Sequence, residues 1–229
     1  MNHKFIEKIR QQNPLVHNIT NIVVANDSAN GLLAIGASPF MSDAQEELED
    51  IAQIADVTVL NIGTLNHHQL AAMEKIGLAC NLLNKPVILD PVGAGATAYR
   101  KAAVSKLLAT VRFAMIKGNA GEIAAIADVK WQAVGVDAGS GDSDISTVAK
   151  QVALKYNCIV GVTGEIDIIT DGDKVIKVLN ETPYFPKMTG SGCLLACIRG
   201  AFLAVSEKSA ALEAAVAAFA SYAVAGEKA

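Results

Sequence analysis

The feature that most constrains this chain is a recurrence of short apolar runs, Val57–Ile62, Val87–Leu89, Phe113–Ile116 and Ile159–Val162, separated by stretches of helical periodicity. Each run is short and apolar on both faces, and each is followed by Gly, Asn or Asp-Pro. Strands covered on both faces read this way, and such sheets are parallel with helical crossovers. Helical patterns occupy the gaps: Ala44–Ala55 with its acidic first turn Glu46-Glu47, then Gln69–Leu83, Arg100–Leu108 and Ser146–Tyr156. The alternation predicts an α/β fold with a mostly parallel central sheet flanked by helices on both faces. After Val162 the pattern changes. Asp167–Thr170 and Lys174–Leu179 flank Asp171-Gly172-Asp173, which predicts a hairpin on a tight turn. Two helices follow, Gly192–Val205 and Ser209–Val224, the second carrying Leu212, Val216, Phe219 and Ala223 on one face. No linker or repeat divides the chain, so residues 1–229 are expected to form a single domain.

Composition narrows the function classes. An apolar fraction of 52% with 18% charged residues excludes intrinsic disorder and leaves ample material for a core. The net charge is −4 and no basic run is longer than Arg100-Lys101, so neither a nucleic-acid stripe nor a polybasic membrane patch is present. A small-molecule ligand is the default. The four cysteines, Cys80, Cys158, Cys193 and Cys197, form no C-x-x-C pair and suit a reducing, cytoplasmic setting. The N-terminus lacks the apolar core of a signal peptide, and charges interrupt every apolar run before the ~18 residues that a membrane span needs.

Ligands of open α/β sheets bind outside the carboxyl ends of the strands, and there the polar and Gly-rich clusters of this sequence fall. Asp90-Pro91-Val92-Gly93-Ala94-Gly95 follows one strand. It reads either as a capped Gly-rich turn or as a carboxylate facing phosphates through Mg²⁺, which favours one or two carboxylates plus phosphate and water oxygens. Lys117-Gly118-Asn119-Ala120-Gly121-Glu122 follows the next. A cation, an amide and a carboxylate within six residues suit polyphosphate, although Glu122 also serves as first-turn charge and Lys117 as a rim residue. Thr163-Gly164 closes a third strand, its hydroxyl available to the turn or to a ligand.

The sharpest cluster is Met188-Thr189-Gly190-Ser191-Gly192-Cys193, which opens an apolar helix. Such a loop makes a nest of N–H groups at the positive end of a helix dipole, an anion site that is not of Walker type. Cys193 reads as a small buried residue, or as a first-turn thiol whose pKa the helix end lowers. Cys197, one turn on, is expected in the core. His17 and the adjacent pair His67-His68 are expected as surface or capping residues, since adjacent histidines lack the convergent geometry of a metal pair.

The segments NITNIVVANDSANGLLAIGASPFMSDAQEE, DPVGAGATAYR, IKGNAGEI, VTGEIDIITDG and MTGSGC, in this order, closely resemble the hydroxyethylthiazole kinase family of the ribokinase-like superfamily, from about Pro14 to the end of the chain. The resemblance implies ATP-dependent phosphorylation of the primary alcohol of 4-methyl-5-(2-hydroxyethyl)thiazole, a salvage step towards thiamine, with Mg²⁺ and ATP, in a homotrimer whose active sites lie at subunit contacts. By the same resemblance Met41, Asn21 and Gly63 belong to the thiazole pocket. Lys117 and Thr163, with Asn119 and Gly164 beside them, contact the nucleotide. Gly190, Ser191 and Gly192 form the loop beneath substrate and phosphate, and Asp90 and Glu122 mark the metal side. Cys193 stands where the wider superfamily carries an Asp base, and Lys117 where many relatives carry Arg, so a point charge replaces a bidentate clamp.

A kinase of another small alcohol, an ATP-dependent lyase on the same fold or a non-catalytic nucleotide-binding protein are the competing readings. The segment around Asn21 and Met41, with Cys rather than Asp at 193, argues against the first. Relatives continue past the Ala-rich last helix into a further turn and helix, so the resemblance also implies a C-terminus shorter than theirs by a few tens of residues.

Overall fold

The computed structural model describes residues 3–134, 137–140, 144–180 and 182–229. Its order is α1 (Lys4–Gln12), β1 (Leu15–Ile19), α2 (Ala25–Ile35), β2 (Ser38–Met41), α3 (Leu48–Ile54), β3 (Val57–Asn61), α4 (His67–Leu82), β4 (Val87–Asp90), α5 (Ala98–Thr110), β5 (Met115–Asn119) and α6 (Ala120–Ile126). The short antiparallel pair β6 (Gln132–Val134) and β7 (Asp137–Ser140) follows. The rest is α7 (Ile145–Tyr156), β8 (Ile159–Thr163), β9 (Asp167–Thr170), β10 (Val175–Val178), α8 (Ser191–Ala204) and α9 (Ala211–Lys228).

The main sheet runs β10-β9-β8-β5-β4-β3-β1-β2. From β2 to β8 every pairing is parallel, whereas β9 and β10 complete one edge as an antiparallel hairpin. Successive strand residues feed opposite cores, as the period of two requires. Leu60, Leu89, Ile116 and Val160 join the cluster under α3 to α7, while Val59, Ile88, Met115 and Ile169 join the one under α1, α2, α8 and α9. Two glycines allow the second layer its close approach. A Cβ at Gly200 of α8 would fall 3.0 Å from Val16, and one at Gly161 of β8 would fall 2.5 Å from the Phe219 ring of α9.

The expected α/β architecture and the terminal hairpin are present, with shifted ends. The helix expected from Ala44 begins at Leu48, because Ser42 bonds Glu47 and the preceding residues form a turn. The third strand starts at Met115 and runs through Lys117-Gly118-Asn119, so that motif is strand end rather than loop. His17 is not a surface residue. It lies buried in β1, its Nδ1 3.3 Å from Thr58 Oγ1 and its Nε2 2.8 Å from the Ser42 carbonyl, and burial lowers its pKa. His67 and His68 are exposed at the start of α4. By length and composition Lys208–Lys228 is long and apolar enough to cross a membrane, unlike the expectation that counted any charge as an interruption. Here Ala214, Ala215, Ala218 and Phe219 are buried in the layer that α9 forms with α8 on β8 and β9.

Candidate active site

A cavity of about 640 Å³ opens at the carboxyl ends of β5 and β8. One wall is Lys117, Asn119 and Glu122; Thr163 and Gly164 form another; Gly190, Ser191, Gly192 and Cys193 close it from the side of α8. Nine of the thirteen residues expected from sequence therefore share one concavity. Asp90, Asn21, Gly63 and Met41 do not line it.

Asp90 ends β4 fully buried behind the cavity. Its Oδ2 accepts from Asn61 Nδ2 at 2.7 Å, and its Oδ1, with no hydrogen-bond partner among the described residues, lies 3.5 Å from Lys117 Nζ. Lys117 is thus a buried ion-pair partner rather than a rim residue. A Cβ at Gly192 would sit 2.8 Å from its ammonium, so the lysine reaches directly under the loop. Burial pushes the Asp90 carboxyl up, and Lys117 and the buried guanidinium of Arg199 oppose this.

Glu122 straps three segments together. Its Oε1 accepts from Gly93 N–H at 2.8 Å and its Oε2 from Asn119 N–H at 2.7 Å, while Asn119 Oδ1 accepts from Glu122 N–H, completing a capping box at α6. Burial raises its pKa to about 7, against Lys117, with Asp90 adding to the rise. Among the described residues no group of three or more His, Cys, Asp or Glu could cage a metal.

The loop before α8 is built to leave its helix end open. Gly190 has φ +80 and no side chain caps the helix; a Cβ there would fall 1.8 Å from Val24 Cγ1. The N–H groups of Gly192 and Cys193, at the second and third helical positions, have no intrahelical acceptor. Ser191 differs from the expected nest. Its N–H donates to Met188 O at 3.2 Å and its hydroxyl to Phe185 O at 3.0 Å, while Tyr222 Oη donates to Ser191 O at 2.8 Å and stacks on Phe185. Thr163 Oγ1 donates to Gly118 O at 3.4 Å and Gly164 N–H to Asp167 Oδ1 at 3.1 Å.

Cys193 joins the cavity to the residues behind it: Asn21 Nδ2 donates to its Sγ at 3.2 Å. The helix end does not lower this thiol. Burial and the Asp90 charge push it up, and Lys117 and the amides of Asn61 and Asn21 only partly counter them. Cys197 is a core residue as expected, pushed up to about 12 by burial. Gly63 lies against Asn21, where a Cβ would be 2.8 Å from Nδ2. Met41 stands at the carboxyl end of edge strand β2, paired with Asn18, and is half-buried.

Three residues to which the sequence reading gave no role at the site matter here. Asn61, the one amide in the run Val57–Ile62, holds Asp90. Arg100 donates to the carbonyls of Ile62, Val92 and Gly63 at 2.7, 2.6 and 2.7 Å, clamping the loops after β3 and β4. Arg199, the one charged residue of the apolar helix α8, lies fully buried over the Phe219 ring at 3.4 Å with no hydrogen-bond partner among the described residues.

Comparison with known proteins follows the same outline. The model of the hydroxyethylthiazole kinase family matches residues 6–229. The chain is similar to hydroxyethylthiazole kinase of Listeria monocytogenes, 54% identical over 222 residues covering 97% of this chain and 82% of the relative. To that of Pasteurella multocida it is 51% identical over 227 residues, 99% and 85% of the two chains. Among solved structures it resembles hydroxyethylthiazole kinase from Pyrococcus horikoshii, with a TM-score of 0.88 and 38% identity over 98% of this chain and 84% of that one. A pyridoxal kinase from Staphylococcus aureus, 15% identical with a TM-score of 0.69, covering 93% and 88% of the two chains, shares the fold.

Proposed function

The chain belongs to the hydroxyethylthiazole kinase family, and from that premise we propose that it transfers the γ-phosphoryl group of ATP to the hydroxyl of 4-methyl-5-(2-hydroxyethyl)thiazole, giving the phosphate and ADP in thiamine salvage. It acts as a single ribokinase-like kinase domain. The observation that carries this reading is the position of Cys193, which lines the cavity with Lys117 and Thr163 while its Sγ is bonded to Asn21.

Cys193 divides the site. On one side Lys117, Asn119, Thr163 and Gly164 bind the polyphosphate, Lys117 as a point charge. On the other, Asn21, Gly63 and Met41 bind the thiazole. The open N–H groups of Gly192 and Cys193, with Gly190 and Ser191 shaping their approach, face the transferring phosphoryl. Its transition state is loose, so alignment and charge neutralisation outweigh the strength of any base. A thiol held up by burial keeps its proton at neutral pH, so only a small thiolate fraction is present to act as a base. Cys193 therefore orients the alcohol, and its minor thiolate fraction takes the alcohol's proton as the new P–O bond forms and the bond to the ADP oxygen breaks, while Lys117 and the loop supply most of the rate.

Mg²⁺ suits the residues present. Among the described residues Asp90 has a buried carboxylate oxygen without a hydrogen-bond partner, and each Glu122 oxygen accepts a single N–H and keeps a lone pair. Two carboxylates beside a polyphosphate cavity are the ligand set that this ion favours, completed by phosphate and water. When bound, Mg²⁺ neutralises phosphate charge. Asp90 and Glu122 would hold it, and Asp90 also fixes Lys117.

A homotrimer with sites at subunit contacts suits the surface next to Asn21, where Ile22 and Val23 are 79% and 63% exposed. Four free cysteines suit a cytoplasmic enzyme. The deciding experiment measures ADP release from the purified protein with Mg²⁺ and ATP, with and without the thiazole alcohol. Release dependent on that alcohol supports the reading; bound ATP with no turnover on it overturns it. Sedimentation velocity at micromolar concentration tests the trimer.

A further inference from the structure

Two buried amides connect the thiol of Cys193 to the carboxylate of Asp90. Asn61 Nδ2 donates to Asp90 Oδ2 at 2.7 Å, Asn21 Nδ2 donates to Asn61 Oδ1 at 3.1 Å, and the same Asn21 nitrogen donates to Cys193 Sγ at 3.2 Å. An amide can be turned end for end, so the direction of such a chain needs an independent anchor. Here each amide has one. Gly63 N–H, a group that can only donate, points at Asn61 Oδ1 at 2.9 Å. Val24 N–H points at Asn21 Oδ1 at 3.2 Å. With both oxygens fixed, both NH₂ groups must face the other way.

We propose that Asn61 is a positioning residue of the phosphoryl-transfer site: through Asn21 it holds an N–H donor against Cys193 Sγ, and through its own NH₂ it holds Asp90. The sulfur is thereby kept as an acceptor on the Asn21 side, its own hydrogen is directed away from Asn21, and the thiolate form is stabilised by a donor that cannot rotate away. Gly63 takes part without touching a ligand. Its N–H anchors Asn61, and its missing Cβ, which would lie 2.8 Å from Asn21 Nδ2, leaves room for the second amide. Asn61 is 1% and Asn21 5% exposed, so water does not replace either bond freely.

The catalytic half of this inference rests on the kinase reading; the donor to Cys193 does not, so the test reads both. Asn61→Leu, the milder Asn61→Ser, Asn21→Leu and the Asn61→Leu/Asn21→Leu double variant are treated with iodoacetamide at about pH 7.5. Carboxamidomethylation of Cys193 is followed by mass spectrometry, with buried Cys80, Cys158 and Cys197 reporting on folding. The expected result is an alkylation rate at Cys193 lower by about tenfold in each single variant, the worth of one lost bond to a charged group. The double variant should fall no further, since both substitutions break one chain. The kcat for the thiazole alcohol should fall at least as far, with the KM for ATP within about twofold.

Alkylation within about twofold of the wild-type rate in a folded Asn61 variant overturns the proposal. Multiplying single effects in the double variant would do the same. Slower alkylation in a protein that shows no alcohol-dependent turnover upholds the amide chain and removes the kinase reading instead.

Discussion

The ammonium of Lys117 and the carboxylate of Asp90 lie 3.5 Å apart, both buried, at the ends of neighbouring strands and directly beneath Gly192. The pair links the metal side of the site to the phosphate loop. Parallel β4 and β5 bring the two residues level, and the absence of a side chain at 192 leaves the lysine its path.

Removing one member of such a pair strands the other charge. Lys117→Met is therefore expected to cost about 3–5 kcal/mol in urea unfolding and to reduce turnover by at least ~100-fold, because a buried ion is uncompensated and the phosphates lose their cation. Lys117→Arg should keep the charge and recover most of the stability and turnover. Full activity in Lys117→Met would remove the lysine from the mechanism.

The fold was legible where burial needs no partner to explain it. Val87–Leu89 and Ile159–Val162 read as strands because both faces are apolar. β1 did not, because His17 and Asn18 occupy buried positions bonded to Thr58, Ser42 and the Val16 carbonyl, two of the three far along the chain. β2 was hidden by Pro39, which an edge strand tolerates. Asp90 and Lys117 stand out because strand-end polar residues are conspicuous after an apolar run, and Glu122 because it follows them in the first turn of α6. Asn61 and Arg199 were not read because their meaning depends on residues brought near only by the sheet. The Cys193 thiol illustrates the same limit: a helix start is visible in sequence, but the burial that outweighs it is tertiary.

Gly190 and Cys193 should rank oppositely to their chemical reactivity. Gly190→Ala places a Cβ at φ +80 and 1.8 Å from Val24 Cγ1, so the loop must move. Strain and overpacking of this kind cost about 1–3 kcal/mol each, and turnover is expected to vanish. Cys193→Ser keeps an acceptor for Asn21 and should retain measurable turnover in the same ADP-release assay. A Cys193→Ser enzyme that is dead beside an active Gly190→Ala enzyme would reverse the division of labour.

Arg100 gives three short donors to carbonyls of two loops that carry no regular structure of their own. Arg100→Met retains the stem and removes the fork. The expected loss is about 1–3 kcal/mol of stability, as carbonyls are left with poorer partners. The KM for the thiazole alcohol should rise more than that for ATP, because Ile62 and Gly63 adjoin Asn21 whereas the β8 wall is untouched. Equal changes in both constants would show that the clamp acts on the whole site.

Arg199 offers a test in which the variant is expected to be the more stable protein. Its guanidinium is fully buried with no hydrogen-bond partner among the described residues, and burial pushes its pKa down to about 9, with Asp167 and Asp90 opposing. From about pH 9 up to the ordinary guanidinium range the unfolded chain thus binds the proton that the folded chain has released, so stability from this group rises with pH across that window and is lowest below it. Arg199→Met fills the same space without the charge. At pH 7 it should be as stable as wild type or more so, by up to about 4 kcal/mol, with the lost stacking on Phe219 limiting the gain. The difference should narrow as urea titrations are repeated above pH 9, since only the wild-type chain gains from releasing this proton. A variant less stable than wild type by more than about 1 kcal/mol, with a gap independent of pH, would mean that Arg199 is satisfied by partners in solution.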